Sequence, residues 1–132
     1  MGPRRFTAQL PALRCPRCGE VYLPGPAVGA FDDAVTRALV EAGASDGDAL
    51  RWLRRAAGLR AADLAALLDV RPETVSRWET EASPAPRAAV YALGTLALAS
   101  VYGQTAPLER LRALASPTAA PEGAVALDVR AA

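Results

Sequence analysis

The chain has 132 residues, fifteen basic against fourteen acidic, a formal net charge of +1 and 52% hydrophobic residues. That length fits one domain with a small appendage, and the near-neutral balance argues against a polycationic nucleic-acid coat while leaving room for a local basic face. His, Lys, Asn and Ile are absent and every basic residue is Arg, which removes histidine bases, catalytic lysines, Ser-His-Asp triads and His-ligated metals and predicts a protein that is not an enzyme.

Alanine accounts for 31 residues, against two Phe, three Tyr and two Trp. Alanine has the highest helix propensity and β-branched residues are few, so the expected fold is all-α with a small, alanine-rich core. Lys, Asn and Ile share A/T-rich codons, so their absence points to a GC-rich bacterial genome. Arg in place of Lys suits planar contacts to phosphate and guanine. No run of 18 apolar residues spans a membrane, and the segment MGPRRFTAQLPALRC lacks the apolar centre of a signal peptide. The expected location is the cytoplasm, where two cysteines read as metal ligands, a redox pair or inert thiols before a structural disulfide.

Pro3, Pro11, Pro16, Pro24 and Pro26 crowd the start of the chain. Residues 1–30 therefore read as an irregular arm around CPRCGE. A linking helix is expected at 31–43, with Phe31, Val35 and Leu39 on one stripe, Asp32 and Asp33 in its first turn and Gly43 as terminator. Residues 44–115 read as one helical domain. Ser45, Asp46 or Asp48 caps a helix running to about Ala57. A second helix covers 61–68, and a break at Asp69-Val70-Arg71 precedes a third over 72–82, opened by Pro72. A fourth, at 86–101, is almost wholly apolar, and a short fifth covers 107–115. Residues 116–132 form a tail in which Val125, Leu127 and Val129 alternate as an edge strand, a dimerisation element.

Two short helices joined by a three-residue break, the second with a polar face, form the pattern of a DNA-reading helix-turn-helix. Ala65 permits close packing, Val70 and Val75 fill the interhelical angle, and Trp52 and Trp78 read as core or interface aromatics. Arg71, Thr74, Ser76 and Arg77 are the candidate DNA contacts. Arg77 has the reach to read guanine O6 and N7. Residues 49–62 carry four Arg and no acid, whereas 47–82 carry six of each. Affinity per monomer is then modest, and tight binding needs a dimer. The apolar 86–101 helix is the expected dimer face.

Residues 50–82, LRWLRRAAGLRAADLAALLDVRPETVSRWETEA, resemble the Xre/Cro/phage-repressor helix-turn-helix family through Leu50, Arg54, Gly58-Leu59, Leu64-Ala65, Leu68, Val70 and Thr74-Val75-Ser76-Arg77-Trp78-Glu79. The resemblance implies a five-helix, lambda-repressor-like domain that binds double-stranded DNA as a homodimer and represses transcription. It also implies a structural Arg54–Glu79 pair. Asp69 stands where that family often has a Gly with positive φ. Arg60-Ala61 replaces its Thr-Gln pair, leaving Arg60 to offer a phosphate contact, and Glu81-Ala82 replaces the Gly after the recognition helix.

Cys15-Pro16-Arg17-Cys18-Gly19 is a C-x-x-C turn of the zinc-knuckle type. Structural zinc needs four ligands, and this chain has two Cys and no His. Asp or Glu would complete the site, or two chains would contribute two Cys each; a purely structural turn and a thiol switch are the other readings. Together with the helix-turn-helix, the knuckle is similar to zinc-finger/helix-turn-helix antitoxins of the MqsA type. That likeness implies a toxin partner and an autoregulated operon, with a zinc or thiol sensor as a further alternative.

Overall fold

The computed structural model describes residues 4–116, 123–124 and 126–129. Proline and glycine divide these into a hairpin and six helices. Strand β1 (Leu13–Arg14) pairs antiparallel with β2 (Val21–Tyr22), Leu13 opposite Tyr22 and Arg14 opposite Val21. The CPRCG turn closes the hairpin: the Cys15 N–H donates to the Glu20 carbonyl at 2.8 Å and the Gly19 N–H to the Cys15 carbonyl at 2.9 Å. Gly19 has φ +72°, a conformation glycine adopts without a Cβ penalty. The segment expected to be irregular thus contains ordered backbone pairing.

Helix α1 spans Gly25–Glu41 and starts six residues before the expected position. The proline-rich entry is the reason. Pro24 supplies the extended cap, and Pro26 stands in the first turn, where its missing N–H has no intrahelical partner to lose. Asp32 and Asp33 therefore lie in mid-helix and not in its first turn. Gly43, at φ +63°, turns the chain out of the helix.

The next four helices are α2 (Gly47–Ala56), α3 (Ala61–Leu67), α4 (Pro72–Glu79) and α5 (Arg87–Val101). Helix α6 (Ala106–Ala115) closes the domain. The five helices α2–α6 follow the expected order. Helix α2 lies at the centre, against α1, α4 and α5, while α3 packs on α4 and α6. Leu39, Leu53, Leu64 and Val75 are the most deeply buried large side chains. The buried Thr36 hydroxyl is satisfied twice, donating to the Asp32 carbonyl at 2.9 Å and accepting from Trp52 Nε1 at 3.0 Å.

One side of the apolar α5 is covered within the domain: Leu93, Leu96 and Ala97 belong to the core, where α5 packs on α1, α2 and α6, whereas Tyr91 on its other side is exposed. Its composition reflects a central position in the bundle. Val125 of the expected tail strand lies outside the described residues. Residues 123–124 and 126–129 form no strand, and Leu127 and Val129 are exposed.

The start of the chain is tied to α2. Arg4 pairs with the Asp46 carboxylate, which caps α2 by accepting the Ala49 N–H at 3.3 Å. Phe6 packs against the margin of the core. Partial burial pushes the Asp46 carboxyl upward, but the Arg4 guanidinium and the Ala49 amide outweigh it and hold the group below the usual carboxylate value. A depressed folded-state pKa contributes stability above the unfolded pKa that is lost as pH falls through the folded one. Thermal unfolding of the wild type should therefore decline with acid from about pH 3.9 downward, and Asp46→Asn, which keeps a capping oxygen but no charge, should show a shallower decline.

Gly47 opens α2 against the end of α4. A Cβ built there would lie 2.1 Å from the Glu79 carbonyl oxygen. Gly→Ala at an ordinary helix position stabilises by about 1 kcal/mol. Gly47→Ala should do the reverse, lowering the unfolding free energy by about 2 kcal/mol in urea denaturation.

Candidate nucleic-acid interface

The interface is set by how α4 is held. The chain leaves α3 through Leu68 and Asp69, and the Val70 N–H donates to the Ala65 carbonyl at 3.0 Å. Asp69 has φ +55°, a region that Asp tolerates better than most residues. The nearly inaccessible Ala65 and Val75 let α3 and α4 approach closely. Pro72 occupies the start of α4. Val75 and Trp78 turn into the core, so Glu73, Ser76, Arg77 and Thr80 fall on the opposite, exposed stripe at helical spacing.

Glu79 fixes this helix to α2. Its carboxylate accepts from Arg54 Nε at 2.5 Å and Nη2 at 3.3 Å. The remaining Arg54 nitrogen donates to the Leu59 carbonyl at 3.0 Å. Arg51 approaches the same carboxylate at 3.6 Å. The Arg54 and Glu79 side chains are only 12% and 9% exposed, so the pair lies at the edge of the core rather than in solvent. After α4, Glu81 adopts φ +63° and the Ser83 N–H returns to the Arg77 carbonyl at 3.3 Å. A left-handed residue other than glycine thus follows the C-cap of α4.

The sequence candidates separate by environment. Arg71, Ser76 and Arg77 are exposed together at the start and on the outer face of α4, and Thr74 is half-buried beside them. Neither Arg71 nor Arg77 makes an ion pair among the described residues. Arg60 precedes α3 and is held by Asp63, with both guanidinium contacts at 3.0 Å; the same carboxylate accepts the Arg60 backbone N–H at 2.9 Å. Hydrogen bonding to this arginine draws the Asp63 carboxyl below its usual value. Arg55 lines a cleft with Asp32, Asp33 and Trp52 on the α1 side of the domain. The basic stretch 49–62 is therefore not one face.

Cys15 and Cys18 lie together on the hairpin, as free thiols, and belong to no part of this interface. The backbone N–H groups of Cys18 and Arg17 donate to the Cys15 thiol and lower its pKa. Among the described residues no group of three or more His, Cys, Asp or Glu is arranged to hold a metal.

Sequence reasoning did not single out Gly47 or Glu73, and it weighed Arg51 between solvated surface and phosphate contact without foreseeing its approach to Glu79. Gly47 and Arg51 act through contacts between α2 and α4, which no local pattern encodes. Glu73 is legible in retrospect from its i, i+3, i+4, i+7 stripe with Ser76, Arg77 and Thr80.

A short helix packed on a second, which carries an exposed polar stripe and is clamped from behind by an ion pair, is the geometry of a helix-turn-helix. Residues 47–126 match the model of the helix-turn-helix domain family. That match covers more than half of the chain, and the chain belongs to this family. Comparison with curated proteins and with solved structures gave no match. No helix among the described residues is long and apolar enough to cross a membrane.

Removing one member of a largely buried ion pair leaves the other charge uncompensated. Glu79→Ala should lower the unfolding free energy by about 3 kcal/mol. An exposed control, Glu73→Ala, should change it by less than about 0.5 kcal/mol; urea denaturation monitored by circular dichroism measures both.

Proposed function

We propose that this protein is a sequence-specific DNA-binding transcriptional regulator, a repressor that acts as a homodimer and lays α4 in the major groove at half-sites roughly 34 Å apart. The single observation that carries the reading is the exposed outer surface of α4, where Arg71 and Arg77 make no ion pair among the described residues while Arg51, Arg54 and Arg60 are engaged by acids of the same domain. Arginines without intramolecular partners are available to phosphate and to base edges.

In this reading Arg77 donates to guanine O6 and N7, and Glu73, in the first turn of α4, accepts from cytosine N4. Ser76 and Thr74 serve base edges or phosphate. Arg71, at the entry of α4, contacts phosphate. Arg60, engaged by Asp63, remains a peripheral phosphate contact that must first exchange its carboxylate partner. A groove filled by a two-residue-deep polar stripe reads few base pairs, and pairing two copies doubles the site read.

The operator is obtained by selecting bound fragments from a random DNA pool, and the variants are then compared on that site by gel shift. Arg77→Ala should weaken binding about 5- to 150-fold and relax the sequence preference at one position. Arg71→Ala should weaken binding to all sequences alike and reduce the slope of log affinity against log salt by about 1. Arg55→Ala, on the far side of α2, should bind as the wild type does. If Arg77→Ala and Arg71→Ala both retain wild-type affinity and salt slope, α4 is not the reading helix.

A further inference from the structure

The CPRCG hairpin is not used by the α4 interface, and three of its features converge. The first is chemical. Two cysteines share one tight turn, whose backbone is fixed by the Cys15 N–H to Glu20 carbonyl bond at 2.8 Å and the Gly19 N–H to Cys15 carbonyl bond at 2.9 Å. Cys18 is exposed and Cys15 partly so, and both are free. A C-x-x-C turn held by its own backbone presents two sulfur ligands at the spacing of structural zinc sites.

The second is stoichiometric. A structural zinc site closes with four ligands. Among the described residues no third His, Cys, Asp or Glu joins these two, so the turn supplies half a coordination sphere.

The third is the surface around the turn. Leu13, Val21, Tyr22 and Leu23 are each about half exposed, between 47% and 54%. None of them belongs to the core cluster or packs against it. A hairpin with two-residue strands is too small to sustain itself in water, and among the described residues about half of the surface of these apolar side chains is left uncovered. The same hairpin on a second copy offers both the missing thiolates and an apolar surface of equal size.

We propose that Cys15 and Cys18 form half of a tetrahedral zinc site that is completed by the same two cysteines of a second copy of this chain. The cation is zinc because four thiolates in a tetrahedron suit a borderline-soft ion without geometric preference. The thiol protons leave to solvent as the metal binds. Four thiolates on one divalent ion leave a net charge of −2. Each copy brings Arg14, which donates to the Gly19 carbonyl at 3.1 Å across the turn, together with Arg17 inside it. Two copies therefore bring four arginines on or beside the two turns, which offset that charge at short range. The bridge joins two helix-turn-helix domains through their N-terminal hairpins, leaving α4 of each copy uncovered. The inference rests on the hairpin and is independent of the reading of α4.

The test loads reduced full-length protein with zinc, removes the excess, and measures metal content together with mass by light scattering. The expected result is about 0.5 zinc per chain in a dimer. Cobalt in place of zinc should give the intense visible bands of tetrahedral thiolate coordination. Cys15→Ser and Cys18→Ser should each abolish retained metal and the cobalt spectrum while leaving helix content unchanged, because the hairpin lies outside the core. One zinc per chain in a monomer, no retained zinc, or retention by either serine variant would overturn the proposal. Loss of DNA binding by α4 variants with normal zinc content would leave it standing.

Discussion

The geometry of this domain depends on one carboxylate. Glu79 lies at the last position of α4, where the helix dipole disfavours negative charge, and it is nearly buried. Neither circumstance is tolerable without a cation. Arg54 supplies a two-point contact and Arg51 a looser one from the same face of α2. An ion pair of this kind contributes less to net stability than its short distances suggest, because both groups lose hydration. What it does impose is orientation: the planar guanidinium fork allows one rotation of α4 about its axis, and that rotation turns Val75 and Trp78 inward and Arg77 outward.

Gly47 adds a steric condition to the electrostatic one. The Glu79 carbonyl at the end of α4 lies where a Cβ on the first residue of α2 would stand. The end of α4 and the start of α2 therefore meet at backbone distance. Both constraints act on the side of α4 opposite its exposed stripe, so that stripe is held from behind. Polar residues on a rigid element meet a groove with less loss of conformational freedom than residues on a loop.

The near-zero net charge of the central segment is also resolved by position. Acids and arginines are equal in number over 47–82, yet they are sorted in space. Glu79 and Asp63 engage Arg51, Arg54 and Arg60, whereas Arg71 and Arg77 make no ion pair among the described residues. A sum over the sequence cannot express that sorting, because it assigns equal weight to a buried charge and an exposed one.

Much of the fold is nevertheless local and was legible without coordinates. Proline at the first turn of α4, the three-residue break around Asp69, the inward spacing of Val75 and Trp78 and the order of α2–α6 follow from propensity, capping and a 3.6-residue period. These depend on neighbours within a few residues. The features that escaped sequence reasoning are those requiring distant partners. The early start of α1 was hidden by prolines that break helices in the interior but open them at the first turn. The apolarity of α5 read as an uncovered face, whereas much of it answers to packing on α1, α2 and α6, with Tyr91 left exposed. The stretch 49–62, with four Arg and no acid, is divided by packing that sets Arg51 and Arg54 against Glu79 and Arg55 in a cleft with Asp32 and Asp33, while Arg60 is held locally by Asp63 three residues on. Sequence alone determined that this chain forms a helix-turn-helix with an incomplete cysteine knuckle, because both are written in short-range spacing. Only the tertiary structure decided which charges remain available, because availability depends on burial and on ion pairs between residues far apart in the chain.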